Sequence, residues 1–478
     1  MLRTRLTFWV FVLFLFTACS EKRVNDNPII TVEGGQVQGV KATTPGVTIY
    51  KGIPYAAPPT GDNRWREPQP VIAWNGVKMA DKFGNAAMQA THKEGEFYHK
   101  EFFSDGDAPY SEDCLTLNVW TPAPGKVDAK LPVAMWVHGG AYMSGWGFEK
   151  EMDGEAWADR DVILVTINYR LGIFGFLVHP ELSKESTNSV AGNYGILDQI
   201  AALKWIRNNI RQFGGDPLNI TIFGQSAGGG SVKTLVSSPL TKGMISRAII
   251  QSAGGLDKNG GAGMGEGSYE NALASGKALM DFGGYNTLEK MKAASANEIY
   301  ELPFQYAKEG HWAMQFPVID GYVSKESFSS ATINGNIADV PYMIGFVSGD
   351  MRMGDLGSAE AIADFCLNRA DADKNVYAYQ FARLLPGDDA GAYHSSELWY
   401  IFQTLSRAWR PFTEGDYALS NIMVDAWCNF ANYGNPNGKG ENNWTPYTND
   451  NKQFMIFNLD KNDKADAQMG EVVTPVIK

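Results

Sequence analysis

The chain has 478 residues, 44% of them hydrophobic and 12% aromatic, with a formal net charge of −12. That length and apolar share suffice for one large domain with a substantial core, and the aromatic share suits a deep apolar cleft. No long basic run occurs, which excludes nucleic acid as a partner.

Residues 1–18 place Arg3 and Arg5 ahead of an apolar run from Leu6 to Phe16. The run is too short to span a bilayer stably and has the plan of an export signal. Thr17-Ala18-Cys19 resembles a bacterial lipobox, although Phe16 stands where that box usually carries Leu. The expectation is a signal over 1–18, a lipid anchor on Cys19, a polar tether over 19–28, and one domain over 29–478. The protein is then exported and held to a bacterial membrane, on the periplasmic or cell-surface side, through that anchor alone. The other cysteines, Cys114, Cys366 and Cys428, are odd in number and lack metal-ligand spacing, so at least one free thiol and no metal site are expected.

Residues 29–120 mix short alternating runs with many Pro and Gly and read as a β-rich lead-in. Leu131–Val137 and Val162–Ile167 are continuous apolar runs, the pattern of strands buried on both faces. Ile196, Ile200, Leu203, Ile206, Ile210 and Phe213 recur at steps of three and four, predicting an amphipathic helix over 193–213, ended by Gly214-Gly215. Asn219–Phe223, Arg247–Gln251 and Val340–Val347 read as further strands. Stretches 268–315 and 397–433 read as helical and are expected over the carboxyl edge of the sheet, and Gly254–Gly267 as a flexible loop. Strands alternating with helices imply an α/β fold, a mainly parallel sheet covered on both faces.

Gly224-Gln-Ser-Ala-Gly228 follows the strand at 219–223 directly. A G-x-S-x-G turn between strand and helix lifts the Ser226 hydroxyl above the sheet edge at a helix N-terminus, and glycine on both sides removes side chains that would clash. The pattern predicts a nucleophile of the α/β-hydrolase type. His138-Gly-Gly-Ala141 follows the strand ending at Val137, and a loop free of side chains lets a carbonyl approach backbone amides. The amides of Gly140, Ala141 and Ala227 are therefore the expected oxyanion hole. His138 precedes the nucleophile and reads as structural.

In this fold the order is Ser, then Asp or Glu, then His. Four of the six histidines precede Ser226, leaving His311 and His394. The acid belongs near a strand end, and Asp350 follows the strand at 340–347 within three residues. Since His311 precedes Asp350, the base is His394. Asp320, Asp339 and Asp355 are the competing acids.

Gly52-Ile-Pro-Tyr-Ala56, Ser111-Glu-Asp-Cys-Leu-Thr-Leu-Asn118, Trp136-Val-His-Gly-Gly140, Asn168-Tyr-Arg-Leu-Gly-Ile-Phe-Gly-Phe176, Asn193-Tyr-Gly-Ile-Leu-Asp-Gln199, Asn209-Ile-Arg-Gln-Phe-Gly-Gly-Asp-Pro217, Pro317-Val-Ile-Asp-Gly321 and His394-Ser-Ser-Glu-Leu398 complete the pattern. With these motifs the chain resembles the type-B carboxylesterase/cholinesterase family, and bacterial para-nitrobenzyl-esterase-like members in particular. The resemblance implies a carboxylesterase with a Ser226–His394–Asp350 triad, an acyl-enzyme intermediate, a small-molecule ester substrate and no cofactor. It places Asp350 at the family's acid position, within Gly345-Phe-Val-Ser-Gly-Asp-Met351. It also implies buried ion pairs Arg64–Glu112 and Arg170–Asp198.

Several features depart from the family. Phe83–Gln89 holds no cysteine to pair with Cys114, so that disulfide is not expected. Gln225 replaces the usual Glu before the nucleophile. The stretch from Asp350 to His394 is short, which predicts a partly reduced helical cap. Tyr142, Trp146, Phe148, Trp312, Phe316 and Trp399 are candidate pocket walls. An amidase or thioesterase on the same triad, or a catalytically silent adhesion or binding homologue, are the competing functions.

Overall fold

The computed structural model describes residues 27–474, apart from 262, 264, 265, 353, 441 and 442. The expected signal, Cys19 and all but the end of the tether lie outside the described residues. Among the described residues, eleven strands form one central sheet. In chain order they are β1 (Val40–Lys41), β2 (Thr48–Pro54), β3 (Thr116–Thr121), β4 (Leu131–Val137), β5 (Ile163–Ile167), β6 (Gly215–Gln225), β7 (Arg247–Gln251), β8 (Tyr342–Val347), β9 (Val376–Phe381), β10 (Phe454–Leu459) and β11 (Ala465–Gly470). Across the sheet they lie in the order β11-β10-β9-β8-β7-β6-β4-β5-β3-β2-β1. Neighbours from β10 to β5 are parallel, and antiparallel strands close both edges. A second, three-stranded sheet joins Ile29–Val32, Gly35–Gln38 and Val77–Met79, as the β-rich lead-in predicts.

The continuous apolar runs have a two-faced origin. Val133, Met135 and Val137 of β4 enter one core cluster, while Ala134 and Trp136 enter the other. β8 divides likewise, with Tyr342, Ile344 and Phe346 on one side and Met343 and Val347 on the other. A strand whose alternate side chains both find a core has no polar face to show.

Helices cover both faces, among them α1 (Tyr194–Asn209), α2 (Ala227–Ser237), α3 (Tyr269–Phe282), α4 (Leu288–Ala293), α5 (Ala296–Lys308), α6 (Ala359–Ala370) and α7 (Glu414–Tyr433). α1 corrects the amphipathic reading: twelve of its residues are buried, Asp198 and Gln199 among them, because it is sandwiched between the sheet and outer layers. α7 corrects the placement of 397–433 over the carboxyl edge. It starts at a Thr413–Asp416 capping box, and its Met423, Trp427 and Phe430 pack with Trp136 and Phe223 against a sheet face.

Both expected ion pairs are present. Arg64 meets Glu112 through two bonds of 2.6 Å, and its third nitrogen donates to the Ala294 carbonyl at 2.6 Å. Arg170 meets Asp198 at 2.8 and 2.7 Å, both side chains buried. Among the described residues no helix is long and apolar enough to cross a membrane.

Candidate active site

Because β4, β6 and β8 run the same way, Val137, Gln225 and Val347 all end at one sheet edge, and the site is built from the turns that leave these three strand ends. After β6, Ser226 sits at φ 57°, ψ −123°, in a turn that leads straight into α2. The neighbouring strand forces the flanking glycines. A Cβ on Gly224 would stand 2.7 Å from the Val137 carbonyl oxygen, and one on Gly228 only 2.0 Å from it. The strained serine is held in place by its amide, which donates to the Gln251 carbonyl at 2.9 Å.

After β4, Gly140, Ala141 and Tyr142 adopt left-handed φ of 94°, 55° and 61°. Gly140 and Ala141 line the same cavity as Ser226. Among the described residues, the amides of Gly140, Ala141 and Ala227 donate to no protein acceptor. His138 lies beneath the loop, buried and stacked on Tyr169 at 4.4 Å, and burial lowers its pKa to about 4. It is a neutral packing residue, as its chain position predicts.

After β8, a turn over 348–352 carries Asp350, which is fully buried. Asp350 Oδ1 lies 2.6 Å from His394 Nδ1, and Oδ2 accepts from the Val347 amide at 3.2 Å. Gly349 makes this contact possible: its amide donates to the Ala392 carbonyl, and a Cβ there would stand 2.3 Å from that oxygen. The competing acids are engaged elsewhere. Asp320 accepts from the amides of Tyr322, Val323 and Ser324, and Asp339 pairs with Arg369 and Lys374 before β8 begins. Asp355 falls in a separate short turn, Gly354–Gly357. His311 stacks on Tyr306, beyond the end of α5.

Burial opposes protonation of His394, but the Asp350 hydrogen bond and charge, aided by the Glu397 charge, outweigh it and raise its pKa. Gln225 Nε2 stands 3.3 and 3.5 Å from the two imidazole nitrogens, while its Oε1 accepts from Ser395 Oγ at 3.1 Å. No hydrogen bond joins Ser226 Oγ to His394, yet both open into one cavity of about 600 Å³.

The cavity walls correct the predicted pocket. None of Tyr142, Trp146, Phe148, Trp312, Phe316 and Trp399 lines it; its apolar wall is Phe97, Tyr98, Phe102, Phe103, Met143, Met152 and Leu398. Trp146 and Trp399 stand one layer behind, against Phe103 and Phe102, and Phe148 stacks on Phe83. Tyr142 is buried against Phe176, and Trp312 is 64% exposed, packed on Phe316. Aromatic character alone does not separate wall from core.

Residues that sequence reasoning missed hold this wall in place. Glu101, buried beside Phe102, accepts from Arg410, Trp409 and Tyr393, the neighbour of His394. His92 pairs with Asp107 at 2.8 Å and stacks on Phe103. Glu397 was legible only as part of the His394-Ser-Ser-Glu run. It is buried and receives the Gln251 amide at 3.3 Å; burial first, then the Asp350 charge, raises its pKa to about 7.

The chain matches the model of the carboxylesterase family over residues 26–355 and 352–472. It belongs to the carboxylesterase family. The para-nitrobenzyl esterase of Bacillus subtilis is 31% identical over 487 residues, which span 90% of this chain and 94% of that one. The fumonisin B1 esterase of Sphingopyxis macrogoltabida is 38% identical over 345 residues, 70% of this chain but 59% of that protein. Among solved structures, the Geobacillus stearothermophilus carboxylesterase EST55 superposes with a TM-score of 0.74 at 30% identity, covering 92% of this chain and 97% of that one. This carboxylesterase thus has the α/β-hydrolase fold, a large, mostly parallel sheet with helices on both faces. Its Cys114, Cys366 and Cys428 are all free and buried.

Proposed function

We propose that this carboxylesterase hydrolyses small carboxylic esters with Ser226 as nucleophile, His394 as base and Asp350 as its orienting acid. One juxtaposition carries the reading: His394, held by the buried Asp350, lines the same cavity as the strained Ser226 and as Gly140 and Ala141, whose amides have no acceptor among the described residues. Neutral His394 takes the Ser226 proton as Oγ attacks the ester carbonyl carbon. The oxyanion is held by the amides of Gly140, Ala141 and Ala227, each such donor being worth roughly 10²–10³ in kcat. His394 returns the proton to the leaving alcohol, and water repeats the cycle on the acyl-enzyme. The missing bond between Ser226 and His394 closes on substrate binding, since catalytic hydrogen bonds are often long without ligand.

The volume and the Phe, Tyr and Met lining favour small aryl or short-acyl esters over long-chain lipids. Ser226→Ala abolishes ester turnover while keeping the fold, and a fluorophosphonate labels Ser226 in the parent protein. Labelling elsewhere, or undiminished turnover in the variant, sinks the mechanism. A thioesterase reading is favoured by one relative, the fatty acyl-CoA hydrolase precursor, medium chain, of Anas platyrhynchos, at 31% identity over 90% of this chain. Matched oxyester, thioester and amide substrates decide between the two.

Export and lipid anchoring at Cys19 complete the proposal, on the pattern of residues 1–28 alone. Cys19→Ser then frees the protein from the membrane fraction, and retention there in the variant counts against an anchor.

A further inference from the structure

Two carboxyl groups stand in the cavity wall without a cation to meet them. Glu149 and Glu151 line the same cavity as Ser226 and His394, at 8% and 1% exposure. Glu149 Oε1 accepts from the Trp146 amide at 2.8 Å. Apart from its own backbone N–H and the Glu149 carboxyl that it meets, Glu151 has no hydrogen-bond donor among the described residues. Lys150, between them in the chain, turns away to Asp105 at 2.9 Å and Ser104 at 3.0 Å. Among the described residues no lysine or arginine lines the cavity; Glu96, His92 and His394 are the other ionisable side chains there apart from Tyr98, and His92 is taken by Asp107.

Burial raises both carboxyls, Glu149 to about 7, and the Glu149 charge pushes Glu151 further up. Two carboxyls in contact and out of water do not both ionise readily, so the pair holds a proton that a cation can displace. An unpaired buried acid is costly unless a cation or donor reaches it.

We propose that Glu149 and Glu151 form a subsite for a cationic group, selecting esters that carry a protonated aliphatic amine on an apolar body. An ammonium supplies the missing charge and donors and displaces the shared proton to solvent, while Phe102, Phe103 and Met152 cover the apolar body. A neutral or anionic group leaves the pair unmatched. That the bound cation is part of an ester rests on the hydrolysis proposed for this cavity; the binding of the cation does not.

The test uses methyl 4-(aminomethyl)benzoate and its near-isostere methyl 4-ethylbenzoate, titrated calorimetrically into the Ser226→Ala protein. The amine ester binds about tenfold or more tightly, with a buffer-dependent heat that reports proton release. Adding Glu151→Gln, or Glu149→Gln should the first variant fail to fold, brings the ratio of affinities toward one. Equal affinities in the Ser226→Ala protein, or a ratio that survives these substitutions, overturn the subsite. The active enzyme separates the two readings. Turnover of both esters without preference for the amine defeats the subsite alone. Turnover of neither, with the binding preference intact, defeats the esterase reading and leaves the subsite standing.

Discussion

Asp350 and His394 stand 44 residues apart in the chain and 2.6 Å apart in space. The aspartate is held rigidly because it follows β8 at the sheet edge and anchors its second oxygen on the Val347 amide. The histidine arrives on a loop that docks against the same turn through Gly349 and Ala392. One rigid partner and one docked partner make a contact whose removal is informative.

Asp350→Asn keeps the shape but favours the wrong imidazole tautomer. The equivalent change in a serine protease costs about 10,000-fold in kcat, and a loss of that order is expected here. Asp339→Asn, which weakens the pairing of an exposed carboxylate with Arg369 and Lys374 at the far end of β8, costs less than about tenfold. Steady-state kinetics of the two variants check this, and reversed severities show the acid to be misassigned.

The pH profile follows from the sign of the His394 shift. The reactive form is the neutral imidazole, and Asp350 raises the pKa against the opposing effect of burial. Activity is therefore full above that raised pKa and falls as pH drops through it, so the acid limb of kcat/KM lies above the about 6.5 of an ordinary imidazole. Asp350→Asn, assayed on its residual activity, moves that limb to lower pH. A rate flat from about pH 5 to 8 counts against a histidine base.

Glu112→Gln leaves the buried Arg64 guanidinium facing a neutral amide. Breaking one side of a buried pair costs about 3–5 kcal/mol, read as a fall in the urea unfolding free energy. Replacing both residues with apolar ones costs less than the single change, since no unpaired charge remains. Equal losses in the two variants show that packing, not charge, holds Arg64.

Cys114, Cys366 and Cys428 are buried without partners, and burial pushes each thiol pKa up. All three resist iodoacetamide in the native protein and react after denaturation without reductant, as peptide mass spectrometry shows. A Cys114 disulfide peptide recovered from the unreduced protein contradicts this.

Much of the site was legible because it obeys local rules. Gly224 and Gly228 mark a turn that a Cβ cannot enter, and chain order with a strand end singles out Asp350 and His394. Other parts were not legible, for definite reasons. Twelve per cent of the residues are aromatic, and both core and cavity use them. Only the path of the 92–107 segment makes Phe102 a wall residue and leaves Trp399 behind it. Glu101 gives no sign in its own neighbourhood that it will meet Arg410 and Tyr393, hundreds of residues later.

The sequence by itself determined the alternation of strand and helix, the serine turn, and the chain order of the acid and base proposed here. These depend on backbone conformation and on short patterns that the chain carries locally. The tertiary structure alone decided which aromatics line the cavity, how Gln225 meets the imidazole, and that Glu149 and Glu151 line it with no lysine or arginine beside them among the described residues. Those relations depend on which surfaces meet when distant segments pack, and a side chain's burial and electrostatic surroundings exist only after that packing.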